Sequence, residues 1–254
     1  GFLNKKNIKK IKKGADVLLA SNVFAHSDEL REMAECMSKL INKNGVIIIE
    51  VQYLLNTLKD LTFDNIYHEH YNYWSLTSLR NFFSSSDLSI FDAEKIDTHG
   101  GSIRVYIDKK KRKVQNNVNK LLKEEDDFGI KNYRTYEKFG NKVYEIRKNV
   151  LKNLENLKKD KKTIIGYGAP AKATTALNFY GITSQIDFIV EDNSLKHNKY
   201  IPGVKIPIKS KKKIQTKNNN MLVLAWNFYE DIKKNNKDLS NNFINIKKLE
   251  SNMN

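Results

Sequence analysis

The 254-residue sequence contains a single cysteine, Cys36, so neither a disulfide nor a cysteine-built zinc site is available. No apolar run reaches membrane-spanning length and the first residues lack the apolar core of a secretion signal, which together give the expectation of a cytoplasmic protein in a reducing compartment. Acidic residues are scarce: 29 Asp and Glu against 45 Lys and Arg give a formal charge of +16. Such a charge raises the question of a nucleic-acid or membrane partner. The lysines are dispersed among asparagines, however, as in the stretches 5–13, 109–113, 158–162 and 209–217, with no arginine-rich stripe and no nucleic-acid-binding motif. They read as a solvated surface that retains a preference for anionic small molecules. Metal ligands are equally sparse, because His68 and His70 stand two residues apart and do not converge on a strand or a helix. No metal is expected.

The remaining composition is that of a globular chain, 40% hydrophobic with a mean hydropathy of −0.60. A strand buried on both faces is expected at Asp16–Ser21, then a helix from Ser27-Asp28-Glu29-Leu30 to about Lys43, ended by Asn44-Gly45 as a left-handed cap. A second buried strand follows at Gly45–Val51, completing a right-handed βαβ unit. Leu76-Thr77-Ser78-Leu79 starts a short helix carrying Leu79, Phe82 and Phe83 and stopped at Ser84-Ser85-Ser86, and strands at Leu88–Asp97 and Ser102–Asp108 pair antiparallel across Gly100-Gly101. Residues 109–160 are charged and helical and link this lobe to another. From Lys162 the alternation of strand and helix restarts, giving a second, smaller doubly wound α/β domain over 161–254.

Two places carry chemistry. Tyr67-His68-Glu69-His70 lies after the second strand, where α/β sheets place ligands, and Asn22 and His26 follow the first strand into the same crevice. The Thr98–Ser102 turn, with His99, is a third candidate contributor. Imidazoles beside a carboxylate and aromatic walls suit proton abstraction from a carbon acid. In the second domain, Gly166-Tyr167-Gly168-Ala169-Pro170-Ala171-Lys172 has the spacing G-x-G-x-x-A at a strand-to-helix turn, with Glu191 and Asp192 ending the next strand. That pattern fits a dinucleotide site, another phosphorylated ligand or a plain structural turn.

Four blocks occur in order: Ala15-Asp16-Val17 through Asn22-Val23-Phe24-Ala25-His26, Tyr67-His68-Glu69-His70, Thr98-His99-Gly100-Gly101-Ser102-Ile103-Arg104, and Gly166 to Lys172. In this combination the sequence resembles the S-adenosylmethionine-dependent sugar C-methyltransferases, which methylate C3 of nucleotide-linked 4-keto-deoxy sugars. The resemblance runs from about Ala15 to about Ile246. It implies the C-terminal half of a class I methyltransferase sheet over 1–108, a helical linker over 109–160 and a Rossmann-like domain over 161–254. It also implies that His70 is the catalytic base, that Glu69 and Tyr67 orient it or move protons, that His26 is a second active-site histidine, and that Asn22 meets the sugar. The C-terminal lobe would enclose the nucleotide-sugar, with Gly166, Gly168 and Lys172 as candidate contacts; Lys172 is named for its charge and placement.

The sequence departs from the family pattern at its start. The zinc cysteines and the strand with an acidic-Gly-x-Gly loop that cradles S-adenosylmethionine are absent from this sequence. If Asp16–Ser21 is the fourth strand of such a sheet, its neighbour is missing and an apolar edge is left bare. The expectation is a fragment inactive alone, or one partner of a split enzyme. Two other readings stay open: an NAD-dependent oxidoreductase using the Gly166 turn, and a non-catalytic nucleotide-sugar-binding subunit.

Overall fold

A computed structural model describes residues 3–98, 100–110 and 112–251. They divide into two compact units, Gly1–Thr62 with His68–Glu137, and Phe63–Tyr67 with Lys138–Asn254.

The first unit is built on a four-stranded sheet of β1 (Ala15–Ser21), β2 (Ile41–Gln52), β3 (Ser89–Ile96) and β4 (Ser102–Asp108), in the order β1-β2-β4-β3. β1 and β2 run parallel, joined through α2 (Leu30–Leu40), and β4 runs against both of its neighbours. Alternation decides which side is core: Ile47, Ile49 and Val51 of β2 and Ile103, Val105 and Ile107 of β4 are all buried. α2 buries Leu30, Met33, Ala34, Cys36 and Met37 at helical spacing. α1 (Lys5–Ile8), α3 (Leu54–Lys59), α4 (Leu76–Phe83) and α5 (Asn116–Phe128) complete the unit, α5 lying on β3 and α4.

Two expectations fail here. β1 is not buried on both faces: Val17 and Leu19 are 63% and 64% exposed, because β1 is an edge strand among the described residues. The helix also stops three residues early. Ile41 is already extended and pairs with Ala15, so strand pairing overrides the Asn44-Gly45 cap signal. Gly45 lies inside β2, where a Cβ would stand 2.7 Å from Ile41 Cδ1 and 2.9 Å from the Ala15 carbonyl. Close packing requires it, not a left-handed backbone.

The second unit has five parallel strands: β5 (Thr163–Tyr167), β6 (Phe188–Val190), β7 (Ile208–Lys209), β8 (Asn219–Val223) and β9 (Asn242–Asn245), in the order β7-β6-β5-β8-β9. This is the doubly wound arrangement with its reversal between β5 and β8. α7 (Ala171–Tyr180), α8 (Tyr229–Asn235) and the part of α6 (Tyr133–Lys159) from Lys138 onward belong to it. Its core gathers Ile165, Tyr167, Val190, Met221, Val223, Tyr229 and Leu239. The two-residue β7 has no sequence signal of its own; it forms where Ile189 and Val190 offer an edge. Phe63 completes the unit by packing on Phe179 and Tyr180, with ring centroids 4.9 and 5.6 Å away.

Candidate functional site

In the first unit the candidate residues gather at the carboxyl ends of β1 and β2. Asn22 leaves β1 in a left-handed conformation (φ 52°), which asparagine tolerates better than most side chains, and its N–H donates to the Glu50 carbonyl at 2.9 Å. That bend delivers a short 3-10 turn, Phe24–His26, whose Phe24 is fully buried against Trp74, Phe82 and Phe83. The loop carrying His70 is fastened to this turn. Tyr71 and Asn72 N–H groups donate to the Ala25 carbonyl at 3.1 and 3.3 Å, and Asn72 Nδ2 donates to the Ser27 carbonyl at 2.9 Å.

The two histidines therefore meet. His26 Nδ1 lies 2.7 Å from the Glu69 carbonyl, and the His26 and His70 rings have centroids 4.9 Å apart. A carbonyl only accepts, so Nδ1 carries the proton and, in the neutral ring, Nε2 is the basic nitrogen. Tyr73 lies edge-on to His70 at 6.3 Å. Glu69 acts on this cluster through its carbonyl; its carboxylate is mostly exposed and lies 3.8 Å from His68 Nε2.

Glu50 and Glu125, which sequence reasoning did not single out, brace the cluster. Glu50 is buried and accepts from Thr98 Oγ1 at 3.3 Å and from Arg104 Nη2 at 3.1 Å, tying the Thr98 turn to the strand end that holds Asn22. Arg104 also reaches Glu94, and Tyr106 donates to the same Glu94 oxygen at 2.7 Å. These hydrogen bonds hold the Glu94 carboxyl below its ordinary range. Glu125 is wholly buried, and accepts from Tyr53 Oη at 2.8 Å and from the first-turn amides of α4, Leu76 at 2.6 Å and Thr77 at 2.9 Å. Burial and that carboxylate push the Tyr53 phenol far upward, so it stays a donor. A glutamate inside the apolar run Gly45–Val51 was a legible signal for Glu50; a glutamate in a charged helix was none for Glu125. His99 lies outside the described residues.

Tyr67 falls on the segment Phe63–Tyr67, which belongs to the second unit, as do Gly166, Gly168 and Lys172. Gly168 is left-handed (φ +89°) and packs against Ala225, while a Cβ on Gly166 would stand 2.7 Å from Ile189. Both glycines are thus required by backbone geometry and close packing. The amide that a phosphate would use is taken: Ala169 N–H donates to Glu191 Oε2 at 2.8 Å. The other Glu191 oxygen accepts from the Asp192 and Asn193 amides, and Asp192 is held by Tyr167 and Lys211. Glu191 is thus engaged by the backbone of the turn itself, while Asp192 pairs with Lys211 and keeps an exposed carboxylate. Lys172 lies instead beside Trp226, its ammonium 5.2 Å from the ring centroid.

Among the described residues no group of three His, Cys, Asp or Glu side chains could hold a metal, and no helix is long and apolar enough to cross a membrane. A family model described as the C-methyltransferase C-terminal domain matches residues 97–245. The chain belongs to this C-methyltransferase family. It is 34% identical over 232 residues to the C-methyltransferase NovU of Streptomyces niveus, an alignment that covers 90% of this chain and 55% of the relative. The chain thus spans about half the length of the curated C-methyltransferase it matches. Among solved structures, the mitomycin 7-O-methyltransferase MmcR overlaps 42% of this chain and 32% of its own, at 15% identity and a TM-score of 0.33. The magnesium protoporphyrin IX methyltransferase of Synechocystis overlaps 39% of this chain and 47% of its own, at 14% identity and a TM-score of 0.31. Overlaps this slight position no residue of this chain.

Proposed function

We propose that this chain forms the proton-abstracting and nucleotide-sugar-holding part of an S-adenosylmethionine-dependent C-methyltransferase. Its substrate would be a nucleotide-linked 4-keto-deoxy sugar, methylated at the carbon next to the ketone. The observation that carries the reading is the His26–Glu69–His70 arrangement at the carboxyl ends of two parallel strands, in a member of a C-methyltransferase family. The carbon to be methylated must first lose a proton. His70 is the assigned base, with Asn22 and His26 beside the developing enolate.

With Nδ1 of His26 engaged by the Glu69 carbonyl, Nε2 is the ring nitrogen turned to accept a hydrogen bond or a proton. Glu69 contributes to this reading through its carbonyl, which sets the orientation of His26.

S-adenosylmethionine brings the electrophilic methyl group when bound. The described glycines of the first unit do not cradle it: Gly14 and Gly45 flank or interrupt strands, Gly100 and Gly101 form the β3–β4 turn, and Gly129 caps α5. No step through the donor is therefore assigned to these residues. In this reading the donor-binding part is a further length of the same protein or a separate subunit. A parallel strand from it would pair with the backbone edge of β1, which is the outer strand among the described residues.

Solvent exchange tests the base without the donor. Incubated in deuterium oxide with a nucleotide-linked 4-keto-6-deoxy sugar, the protein should place deuterium at C3, and His70→Asn should slow this by about 10²–10⁴-fold. Exchange at the parent rate in His70→Asn would refute the assignment. Saturable binding with no exchange in the parent protein would favour a non-catalytic binding subunit.

A further inference from the structure

A histidine base works only where its ring is held, because a displacement of about 1 Å can cost about 10²-fold in rate. His70 has no regular structure to fix it. Among the described residues 66–75 there is neither helix nor strand. The loop is next secured at Trp74, whose carbonyl accepts from the Leu54 N–H at 2.9 Å. Four residues of extended chain span up to about 13 Å, so that anchor alone would let His70 stray far from His26. Apolar burial does not pin the next residue either, since Tyr71 is 62% exposed.

Hydrogen bonds to residues 25–27 do the holding. The Ala25 carbonyl accepts from the Tyr71 and Asn72 N–H groups, bonds that any residue but proline could supply. Two further contacts need a particular side chain. His26 Nδ1 meets the Glu69 carbonyl at 2.7 Å, and Asn72 Nδ2 donates to the Ser27 carbonyl at 2.9 Å. Asn72 thus grips the backbone on both sides of His26, at Ala25 through its own N–H and at Ser27 through its side-chain amide. The Ser27 side is where a grip matters. The 3-10 turn ends there, Ser27 is extended (φ −106°, ψ 135°), and α2 begins only at Leu30. Two residues before Asn72 stands His70, its ring centroid 4.9 Å from that of His26. The identity of residue 72 is specific: a carbonyl only accepts, so aspartate, with the same shape, would set an oxygen against the Ser27 oxygen.

We propose that Asn72 is a positioning residue for the histidine pair: by holding the Ser27 carbonyl, its amide keeps the His26 and His70 rings in one arrangement. The effect on turnover rests on the reading of His70 as the base; the arrangement of the rings does not.

Deuterium uptake at C3 of a nucleotide-linked 4-keto-6-deoxy sugar, followed across substrate concentration, supplies the first test. Asn72→Ala and Asn72→Asp should each slow exchange at saturation by about tenfold or more, and change the half-saturating concentration by less than about threefold. Ser38→Ala removes a comparable hydrogen bond, to Asp87 at 2.8 Å, from the last turn of α2, and should exchange at the parent rate. The second test needs no substrate. Imidazole nitrogen spectra of the parent should show His26 protonated at Nδ1 and a nuclear Overhauser contact between the His26 and His70 rings, both weakened in the two Asn72 variants. Parent-like saturated rates in both variants, or a loss confined to the half-saturating concentration, would overturn the proposal. So would imidazole spectra that the substitutions leave unchanged. A parent protein that binds the sugar without exchanging it would sink the His70 assignment, and the spectra alone would then decide the role of Asn72.

Discussion

Replacing Glu125 should damage the first unit far more than its position in a charged helix suggests. The carboxylate is fully buried and satisfies three donors: the Tyr53 hydroxyl and the Leu76 and Thr77 amides at the start of α4. Glu125→Ala leaves all three without that acceptor, each at about 1–3 kcal/mol. Deleting a buried carboxylate also removes its own desolvation cost and lets water reach part of the gap, so the net loss falls to about 3–5 kcal/mol. Glu125→Gln keeps the shape and one accepting oxygen but turns an NH2 group toward a donor, and should cost about 1–2 kcal/mol. Tyr53→Phe removes a donor together with its need and should cost under about 1 kcal/mol. Urea unfolding followed by Trp74 fluorescence, in a common Trp226→Phe background, reads the first unit alone. The expected order is Ala, then Gln, then Tyr53→Phe. Midpoints for Glu125→Ala within about 0.5 kcal/mol of the parent, at unchanged slope, would refute the reasoning.

Gly168→Ala should destabilise the second unit by about 1–3 kcal/mol, since φ is +89° and the new Cβ would stand 2.9 Å from that of Ala225; thermal melts followed at Trp226 measure it. In acid, the first unit should weaken only slightly. Tyr106 and Arg104 lower Glu94, and Lys59 and Lys95 lower Glu124, from an ordinary value of 4.5, so their contribution is complete above that pH and lost as pH falls through the lower folded values. Both carboxylates are partly exposed, which limits each to under about 1 kcal/mol and makes the effect fade with added salt. Urea midpoints at about pH 6 and about pH 3, with and without salt, check the size and the sign.

Much of the architecture was legible because hydrophobic period and turn chemistry agreed. The antiparallel pair across Gly100-Gly101, the helix at Leu76–Phe83 and the alternation from Thr163 onward all follow from local signals. The errors arose where a tertiary partner outweighed a local cue, as at Gly45, whose neighbour Asn44 suggested a cap while Ala15 offered a strand. β1 illustrates the same limit from the other side, because the period of Asp16–Ser21 cannot say whether its outer face finds cover. At the site, the histidines and Asn22 stood out by residue type and by their place after strands. The bracing carboxylates Glu50 and Glu125 did not, since their meaning depends on donors 48 to 72 residues away. Gly166 and Gly168 were visible as a motif, but only the geometry shows Glu191 already bound to the turn they make.

The segment Phe63–Tyr67 has a consequence for how this chain folds. It leaves the first unit's sequence and packs into the second, where Phe63 meets Phe179 and Asp64 meets Trp226, a separation of 162 residues. The second unit is therefore discontinuous, and a cut between Glu137 and Lys138 would strip it of a buried aromatic and a buried carboxylate. In chain order these five residues come well before Phe179 and Tyr180 of α7, which receive Phe63, and before Trp226, which receives Asp64. Closing a loop of this length carries an entropic cost that a contiguous second unit would not meet.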